Sequence, residues 1–477
     1  MGRSLTPASA HVALGPGRAT SDTLKRDFTV TINEGRLMQT ESGAEFESAH
    51  PLAYAIGSGM NGFSFLVQRG DHLFQAPLSY YSRTRQWALS PGYEFADYGF
   101  NRPIATGCIA CHSGQPQPVP QRNGQFRTPA FRELAIGCEN CHGPAQAHVQ
   151  RKAPIVNPAK LTPALADDIC MNCHQGGDTR IPLPGKTELD FRPGRPLSET
   201  IAIFKIPRQR DTAGGDLLEH HESMRLSACF RSSGGRMSCR TCHNPHAATT
   251  DYRAKCLTCH TKPFAATHPN RQSGCVSCHM PKRDLQVIAH SALTNHRIVR
   301  TPAQPLPEAA FPGTDLIHFN PAPLPVITRM RAYGQLMEQQ PAYRERFEAL
   351  LAESAQIYPK DPLVLAALGR RALRAQQNEE AIAQLNQAIA AGSEAASTFE
   401  DLGEALARSG HLDGAVAALQ RGIALAPFAP ALRKSLALRY VKLQRFADAQ
   451  KALEDYVALF PEDDFVRRLL KQVTTPR

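Results

Sequence analysis

Residues 238–246 have the sequence SCRTCHNPH, which contains the pattern Cys-x-x-Cys-His at 239–243. The pattern occurs six times and uses 12 of the 13 cysteines of this 477-residue chain. A histidine therefore follows every Cys-x-x-Cys pair. The six motifs are Cys108-Cys111-His112, Cys138-Cys141-His142, Cys170-Cys173-His174, Cys239-Cys242-His243, Cys256-Cys259-His260 and Cys275-Cys278-His279.

Paired cysteines also occur in three kinds of site that fit this pattern less well. A disulfide framework needs no histidine after the second cysteine. A thioredoxin-like redox motif occurs once, and a zinc ribbon uses two pairs for each metal without a following histidine. Two thiols at this spacing can form thioethers with the two vinyl groups of a porphyrin, and the next residue then offers its imidazole to the iron. The sequence thus predicts six covalently bound haem c groups, with the six motif histidines as proximal iron ligands.

Composition narrows the class of protein. With 42% hydrophobic and 20% charged residues, wholesale disorder is excluded. No apolar run is long enough for a membrane-spanning helix, so no transmembrane segment is expected. The net charge is +11. Six haems would bring about twelve propionate charges, which many Lys and Arg side chains are expected to pair with. We therefore expect no nucleic-acid partner.

The chain is predicted to be a multi-domain protein. Its expected fold class is a small β-rich N-terminal part, an irregular, mostly helical multihaem cytochrome c domain and a C-terminal all-α tetratricopeptide solenoid. Alternating residues at 28–32, 63–67 and 73–75 indicate strands. The predicted segments are a polar N-terminal segment at 1–27, the β-rich subdomain at 28–100, the hexahaem domain at 101–300, a Pro-rich linker at 301–327 and the repeat domain at 328–472.

A 34-residue period identifies the C-terminal repeats. Small or apolar residues recur at this spacing in three series, which are Gly369, Gly403 and Ala437; Ala381, Ala415 and Ala449; and Leu385, Leu419 and Leu453. Small residues at these places let two antiparallel helices approach closely. We expect helical hairpins at 328–361, 362–395, 396–429 and 430–463, followed by a capping helix to 472. A helical bundle without repeats is the alternative.

The sixth ligand of each iron must come from histidines outside the motifs. Ten are placed where they could serve, namely His50, His72, His148, His220, His221, His246, His268, His290, His296 and His318. His148 and His246 follow their own motifs too closely to reach over their own haems, so they are expected to cap neighbouring ones. His221 has His220 as a direct competitor. The remaining cysteine, Cys229, is expected to be a small buried side chain.

The local sequences resemble bacterial multihaem c-type cytochromes fused to tetratricopeptide repeats, related loosely to the hydroxylamine oxidoreductase, nitrite reductase and nitrifier tetrahaem cytochrome group. The resemblance rests on residues 137–144 with His148, on 238–246, and on 278–281 with His290 and 294–298. It implies that His148, His246, His290 and His296 are distal ligands, with His221 as a further one. No CxxCK motif is present, which disfavours the nitrite reductase type.

These features favour a bacterial electron carrier whose repeat domain docks redox partner proteins. The alternatives are a multihaem oxidoreductase that acts on a small nitrogen or sulfur compound at one high-spin haem, and a scaffold whose haems are structural. Covalent haem attachment in bacteria takes place outside the cytoplasm, so a periplasmic or cell-surface location is expected. Residues 1–27 show no signal peptide. One hypothesis is that this chain begins at an internal start codon of a longer protein, so that a leader and a seventh haem motif upstream are missing from it.

Overall fold

The computed structural model describes residues 3–208, 219–247, 250–261, 274–282, 294–301, 304–319 and 323–474. These residues form two compact units. Residues 136–347 hold five of the six motifs, and we call them the five-motif unit. Residues 3–135 together with 348–477 form the second, which we call the sheet–helix unit. Among the described residues, no helix is both long and apolar enough to cross a membrane.

A ten-stranded antiparallel sheet opens the sheet–helix unit. Its strands are β1 (Leu5–Pro7), β2 (Gly17–Ser21), β3 (Arg26–Asn33), β4 (Arg36–Gly43), β5 (Phe46–Ile56), β6 (Gly62–Arg69), β7 (His72–Gln75), β8 (Leu78–Tyr81), β9 (Gln86–Leu89) and β10 (Arg102–Pro103). Neighbouring strands follow the order β10-β7-β6-β5-β4-β3-β2, with β1 paired to β5, and β8 paired to β6 and β9.

The segment predicted to be polar, residues 1–27, contains regular secondary structure in its described part. Strands β1 and β2 and a 3-10 helix at Ala8–Leu14 lie before residue 27. Leu5 and Ala8 are buried in the sheet cores, while the residues of β2 alternate between half-buried and exposed. Its few buried apolar residues are separated by polar ones, so the segment shows only a weak hydrophobic pattern in the sequence. Its backbone nevertheless supplies two strands of the sheet.

The first motif belongs to the sheet–helix unit. It lies on α1 (Thr106–His112), which precedes the hairpin of β11 (Gln115–Pro118) and β12 (Phe126–Glu133). Ile109, between the two cysteines of this motif, is fully buried in a core with Leu73, Ile104 and Phe126. The sheet region therefore extends past residue 100 and anchors the first motif by an apolar side chain.

Short helices dominate the five-motif unit. They are α2 (Glu139–His142), α3 (Gln146–Val149), α4 (Pro163–His174), α5 (His220–Arg225), α6 (Ala228–Ser232), α7 (Cys239–Cys242), α8 (Tyr252–Leu257), α9 (Cys275–His279) and α10 (Val326–Leu336). A three-stranded antiparallel sheet joins β13 (Thr179–Pro182), β14 (Ile201–Lys205) and β15 (Ile317–His318). Strand β15 lies within the segment predicted to be a Pro-rich linker. This segment is therefore not all extended linker, because the backbone of β15 pairs with β14.

Helical hairpins follow at three of the four positions that the 34-residue period predicts, 362–395, 396–429 and 430–463. At the first predicted position, 328–361, helix α10 instead contacts β13 and belongs to the five-motif unit. The helices are α11 (Tyr343–Ile357), α12 (Pro362–Arg374), α13 (Asn378–Ala390), α14 (Ala396–Arg408), α15 (Leu412–Leu425), α16 (Pro430–Lys442), α17 (Phe446–Leu459) and α18 (Asp464–Thr474). Helices α12 to α17 pack as three successive antiparallel pairs, and α18 caps α17. Leu385, Leu419 and Leu453 lie in the cores of these pairs. The C-terminal region thus has the architecture of a tetratricopeptide solenoid.

The loops that join successive hairpins attach this helical array to the sheet. Glu394, Phe428 and Glu462 occupy equivalent loop positions, 34 residues apart. Arg122 forms an ion pair with Glu394 at 3.1 Å. Phe428 packs against the His72 ring, with ring centroids 4.8 Å apart. Asn101 Nδ2 donates to Glu462 Oε1 at 3.0 Å, so all three contacts repeat along one edge of the array.

An ionisable cluster lies at the last of these contacts. Arg26 donates to the Glu462 backbone carbonyl at 2.9 Å and also faces Asp97 and the buried Glu41. Burial, reinforced by the nearby Asp97, raises the pKa of Glu462 from 4.5 to about 7. Burial likewise raises the pKa of Glu41 and of Asp97. Two carboxyl groups, Glu41 and Asp97, therefore share the buried Arg26 guanidinium, while the Glu462 carboxyl accepts a hydrogen bond from Asn101.

A Gly403→Ala substitution is expected to destabilise the helical array. A Cβ at Gly403 would lie 2.8 Å from Leu419 Cγ, and overpacking of this kind costs about 1–3 kcal/mol. The matched control is Gly414→Ala, whose Cβ would meet Leu406 at 3.7 Å and should stabilise its helix by up to about 1 kcal/mol. Thermal unfolding followed by circular dichroism measures both. Equal melting temperatures for the two variants would contradict the close packing.

A Glu462→Gln substitution should change how stability depends on pH. A carboxyl group whose pKa is raised in the folded state favours the folded state at low pH, and this contribution is lost as pH rises. Between pH 4.5 and about 7, the wild type should therefore lose free energy of unfolding relative to the Gln variant. Calorimetric unfolding over this range tests the difference. The exposed Glu454→Gln control should show a constant offset, and a constant offset for Glu462→Gln would refute the expectation.

Candidate haem sites

One helical turn places the two sulfurs of a motif on a common side. The amide of His142 donates to the carbonyl of Cys138 at 2.9 Å, and the amide of His243 donates to Cys239 at 2.9 Å. The same bond joins His260 to Cys256 at 3.1 Å. Residues three apart in a helical turn share one face, so both thiols can reach one edge of a single porphyrin.

Two motif histidines are oriented by backbone carbonyls. His142 Nδ1 lies 2.8 Å from the carbonyl oxygen of Val156, and His279 Nδ1 lies 2.8 Å from that of Val299. A carbonyl oxygen only accepts hydrogen bonds, so each Nδ1 carries the hydrogen and Nε2 carries the lone pair. This is the tautomer that a metal-binding histidine needs. The residues therefore fit a covalently attached haem c whose iron is bound through Nε2.

The motif cysteines are available for attachment. All 13 cysteines lie in described parts of the chain, and none forms a disulfide. Cysteines of different motifs approach one another in two places. The Cys239 thiol lies within hydrogen-bonding distance of Cys170, which raises the pKa of Cys239 and lowers that of Cys170. The thiols of Cys256 and Cys275 also lie within hydrogen-bonding distance of each other.

A buried carboxylate joins the third and fourth motifs. Asp167 lies on α4, one turn before Cys170, and is 3% exposed. Its Oδ1 accepts the amide hydrogen of Cys239 at 2.9 Å. The Arg240 side chain donates to the carbonyl of Pro158 at 2.8 Å and holds α7 from a second side. Sequence reasoning misses Asp167, because a lone Asp in a helix gives no signal of a long-range contact.

Several histidines outside the motifs lie beside motif histidines. The His246 ring is near parallel to the His142 ring, at 24°, with centroids 5.9 Å apart. The His296 ring lies 6.2 Å from that of His243. His296 Nδ1 lies 2.8 Å from the carbonyl oxygen of Thr294, which orients its ring as in the motif histidines. Two imidazoles on opposite faces of one iron have nitrogens about 4 Å apart and centroids roughly 6 Å apart, since metal–imidazole bonds are about 2 Å long.

The remaining predicted ligands have different surroundings. His148 is exposed at the end of α3. His50 packs on Phe100, with ring centroids 4.6 Å apart, and His72 Nδ1 lies 2.6 Å from Asp71 Oδ1. His318 packs on Phe204, with ring centroids 5.2 Å apart. His268 and His290 lie outside the described residues.

Cys229, expected to be buried, is half-buried near the start of α6. Burial raises the pKa of its thiol. Among the described residues, no group of three or more His, Cys, Asp or Glu side chains is arranged to hold a metal ion directly.

Motifs of this number and geometry are typical of multihaem c-type cytochromes. No family model matches the chain. Among curated proteins, the chain is similar to the multihaem cytochrome MtrA of Shewanella baltica (strain OS185), with 24% identity over 215 residues. The similarity covers 43% of this chain and 61% of that protein, so less than two thirds of the relative is spanned.

Solved structures with similarity to the chain match 24–31% of its length in the examples compared. They include the APC/C hetero-tetramer Cut9–Hcn1, at 22% identity over 31% of this chain and 30% of that one, with a TM-score of 0.29. They also include MamA, at 20% identity over 31% of this chain and 76% of that one, with a TM-score of 0.24. None of these comparisons supports the resemblance to the hydroxylamine oxidoreductase group.

A His246→Ala substitution should change one haem if His246 and His142 bind the same iron. Loss of the second imidazole would leave that iron five-coordinate, so a high-spin signal that responds to cyanide should appear. Electron paramagnetic resonance of the oxidised protein measures this. The exposed His411→Ala variant, altered in a loop of the helical array, is the control. Identical spectra for the two variants would exclude the pairing.

Proposed function

We propose that this protein is a multihaem c-type cytochrome that transfers electrons through six covalently bound, mostly bis-His haems. The observation that carries the proposal is the set of six CxxCH motifs on helical turns, two of which have a histidine held by a backbone carbonyl. Haem iron would supply one-electron redox chemistry. The MtrA similarity supports the same class of protein.

In this proposal, the cysteines and the histidines of the chain have different roles. The 12 motif cysteines hold the prosthetic groups covalently, and the six motif histidines serve as proximal ligands. His246 and His296 serve as distal ligands, on the evidence of their ring contacts with His142 and His243. His148 and His290 remain predicted distal ligands. A second histidine closes the other face of an iron to substrates, so such centres favour electron transfer over catalysis.

The packing of the motif helices supports transfer between neighbouring centres. Helix α4 contacts α7, α7 contacts α8, and α8 contacts α9. These helices carry the third to sixth motifs in chain order. The close thiol pairs Cys170–Cys239 and Cys256–Cys275 lie at two of these three contacts. The third to sixth motifs thus form a continuous series of adjacent attachment points.

The helical array supports docking of redox partner proteins. Stacked helix pairs present an extended surface suited to binding another protein. Between α12 and α14, a surface groove is lined by Arg370, Arg374 and Arg408 together with Glu400 and Asp401. Such mixed charges favour polar recognition over burial of an apolar peptide. Because covalent haem attachment in bacteria occurs outside the cytoplasm, we place the protein in the periplasm or at the cell surface.

The proposal predicts a red protein when the full chain is produced in a host that matures c-type cytochromes. Each haem adds about 0.6 kDa, so intact mass should rise by roughly 3.7 kDa. A colourless product of unmodified mass would end the proposal. The control lacks the fourth attachment site (Cys239→Ala with Cys242→Ala), and its mass should be lower by one haem.

Spin state separates the carrier from the oxidoreductase in the same preparation. Six low-spin signals without a response to nitrite, hydroxylamine or cyanide are expected for the carrier. A high-spin signal that changes with one of these ligands would favour the oxidoreductase instead.

A further inference from the structure

Helix α5 begins with two consecutive histidines, His220 and His221, that sequence spacing leaves as direct competitors for one iron. Consecutive residues of a helix point about 100° apart around its axis. The two rings therefore meet different surroundings, and the contacts of each ring distinguish their roles.

The His220 ring faces the motif histidines. Its centroid lies 5.4 Å from that of His174, the histidine of the third motif, and 4.8 Å from that of His296. His296 in turn lies beside His243, the histidine of the fourth motif. The four rings thus follow one another in the order His174, His220, His296 and His243. A motif histidine stands at each end, with the two non-motif histidines between them. This is the order expected for two irons, each with one proximal and one distal imidazole.

The His221 ring faces a carboxylate. Its Nε2 lies 3.6 Å from Oδ2 of the buried Asp167, and its ring packs on Phe319 with centroids 5.8 Å apart. Asp167 already accepts the amide hydrogen of Cys239. The nitrogen that histidine most often offers to haem iron is therefore directed at an oxygen of a carboxyl group that is itself held in place.

We propose that His220, and not His221, is the distal iron ligand of the haem attached at Cys170 and Cys173. The inference rests on the proposed function and deepens it, since it assigns one axial ligand pair, His174 with His220. It differs from the family resemblance, which implies His221.

His220 is half-buried, whereas His221 is buried and 9% exposed. Variants at the two positions are therefore checked for the wild-type haem content before their spectra are compared.

The test compares His220→Met with His221→Met in the haem-loaded full chain. Replacing a distal histidine by methionine keeps an iron ligand but raises the reduction potential of that centre. His220→Met should therefore convert one low-spin signal to a new low-spin form and raise one potential in a redox titration. His221→Met should leave all signals and potentials as in the wild type. Intact mass confirms that both variants carry the wild-type number of haems.

A second variant tests the assignment by rescue. His220→Gly should produce one high-spin haem, and added imidazole should restore its low-spin signal. If neither His220 variant accumulates, His221→Met alone decides, because an altered signal in that variant overturns the inference. The opposite result, with His221 variants changed and His220 variants unchanged, also overturns it. A wild-type chain without haem would refute the proposed function itself, so the two failures are distinguishable.

Discussion

The five-motif unit depends on fixing the rotation of its histidine rings, as the hydrogen bond from His142 Nδ1 to the Val156 carbonyl does. A CxxCH turn alone places two sulfurs and an imidazole near one another, but it does not fix the rotation of the ring. A carbonyl 14 residues further along the chain does so, and for His279 the carbonyl is 20 residues further along. Val156 and Val299 are thus part of these two sites, which explains how a region with short helices and small apolar clusters can hold His142 and His279 in a defined orientation.

The second constraint is the contact between α4 and α7. Asp167 accepts a backbone hydrogen at the start of α7, and a buried carboxylate is retained only where such partners compensate its desolvation. Two attachment helices that are 69 residues apart at Cys170 and Cys239 therefore meet at one carboxylate. The same contact brings the Sγ atoms of Cys170 and Cys239 together, so the two proposed attachment points are held side by side by one carboxylate.

Much of this organisation could be predicted from the sequence, because its signals are local or periodic. Each motif forms a helical turn, and the 34-residue period gives the helix pairs from α12 to α17 within a few residues. The strands at 28–32, 63–67 and 73–75 are also present, as parts of β3, β6 and β7. The sequence could not show that β1 and β2 complete the sheet, that β15 pairs with β14, or that the first motif joins the sheet. Each of these depends on partners distant in the chain.

The pairing of histidines lies beyond sequence reasoning for the same reason. The spacing after the fourth motif predicts that His246 reaches a neighbouring motif, but which one depends on how α2 and the loop after α7 are folded together. His220 and His221 are identical in type and adjacent in sequence. Only the positions of His174 and Asp167, from another helix, separate them.

The attachment of equivalent loops to the sheet has a mechanical consequence for the helical array. A free solenoid behaves as a spring whose pitch changes when a ligand is bound, because each repeat touches only its neighbours. Here contacts at Glu394, Phe428 and Glu462 join three successive helix pairs to the β-strand part of the same unit. These contacts restrain the array along one side, so a protein that docked on it would meet a surface whose curvature is already set.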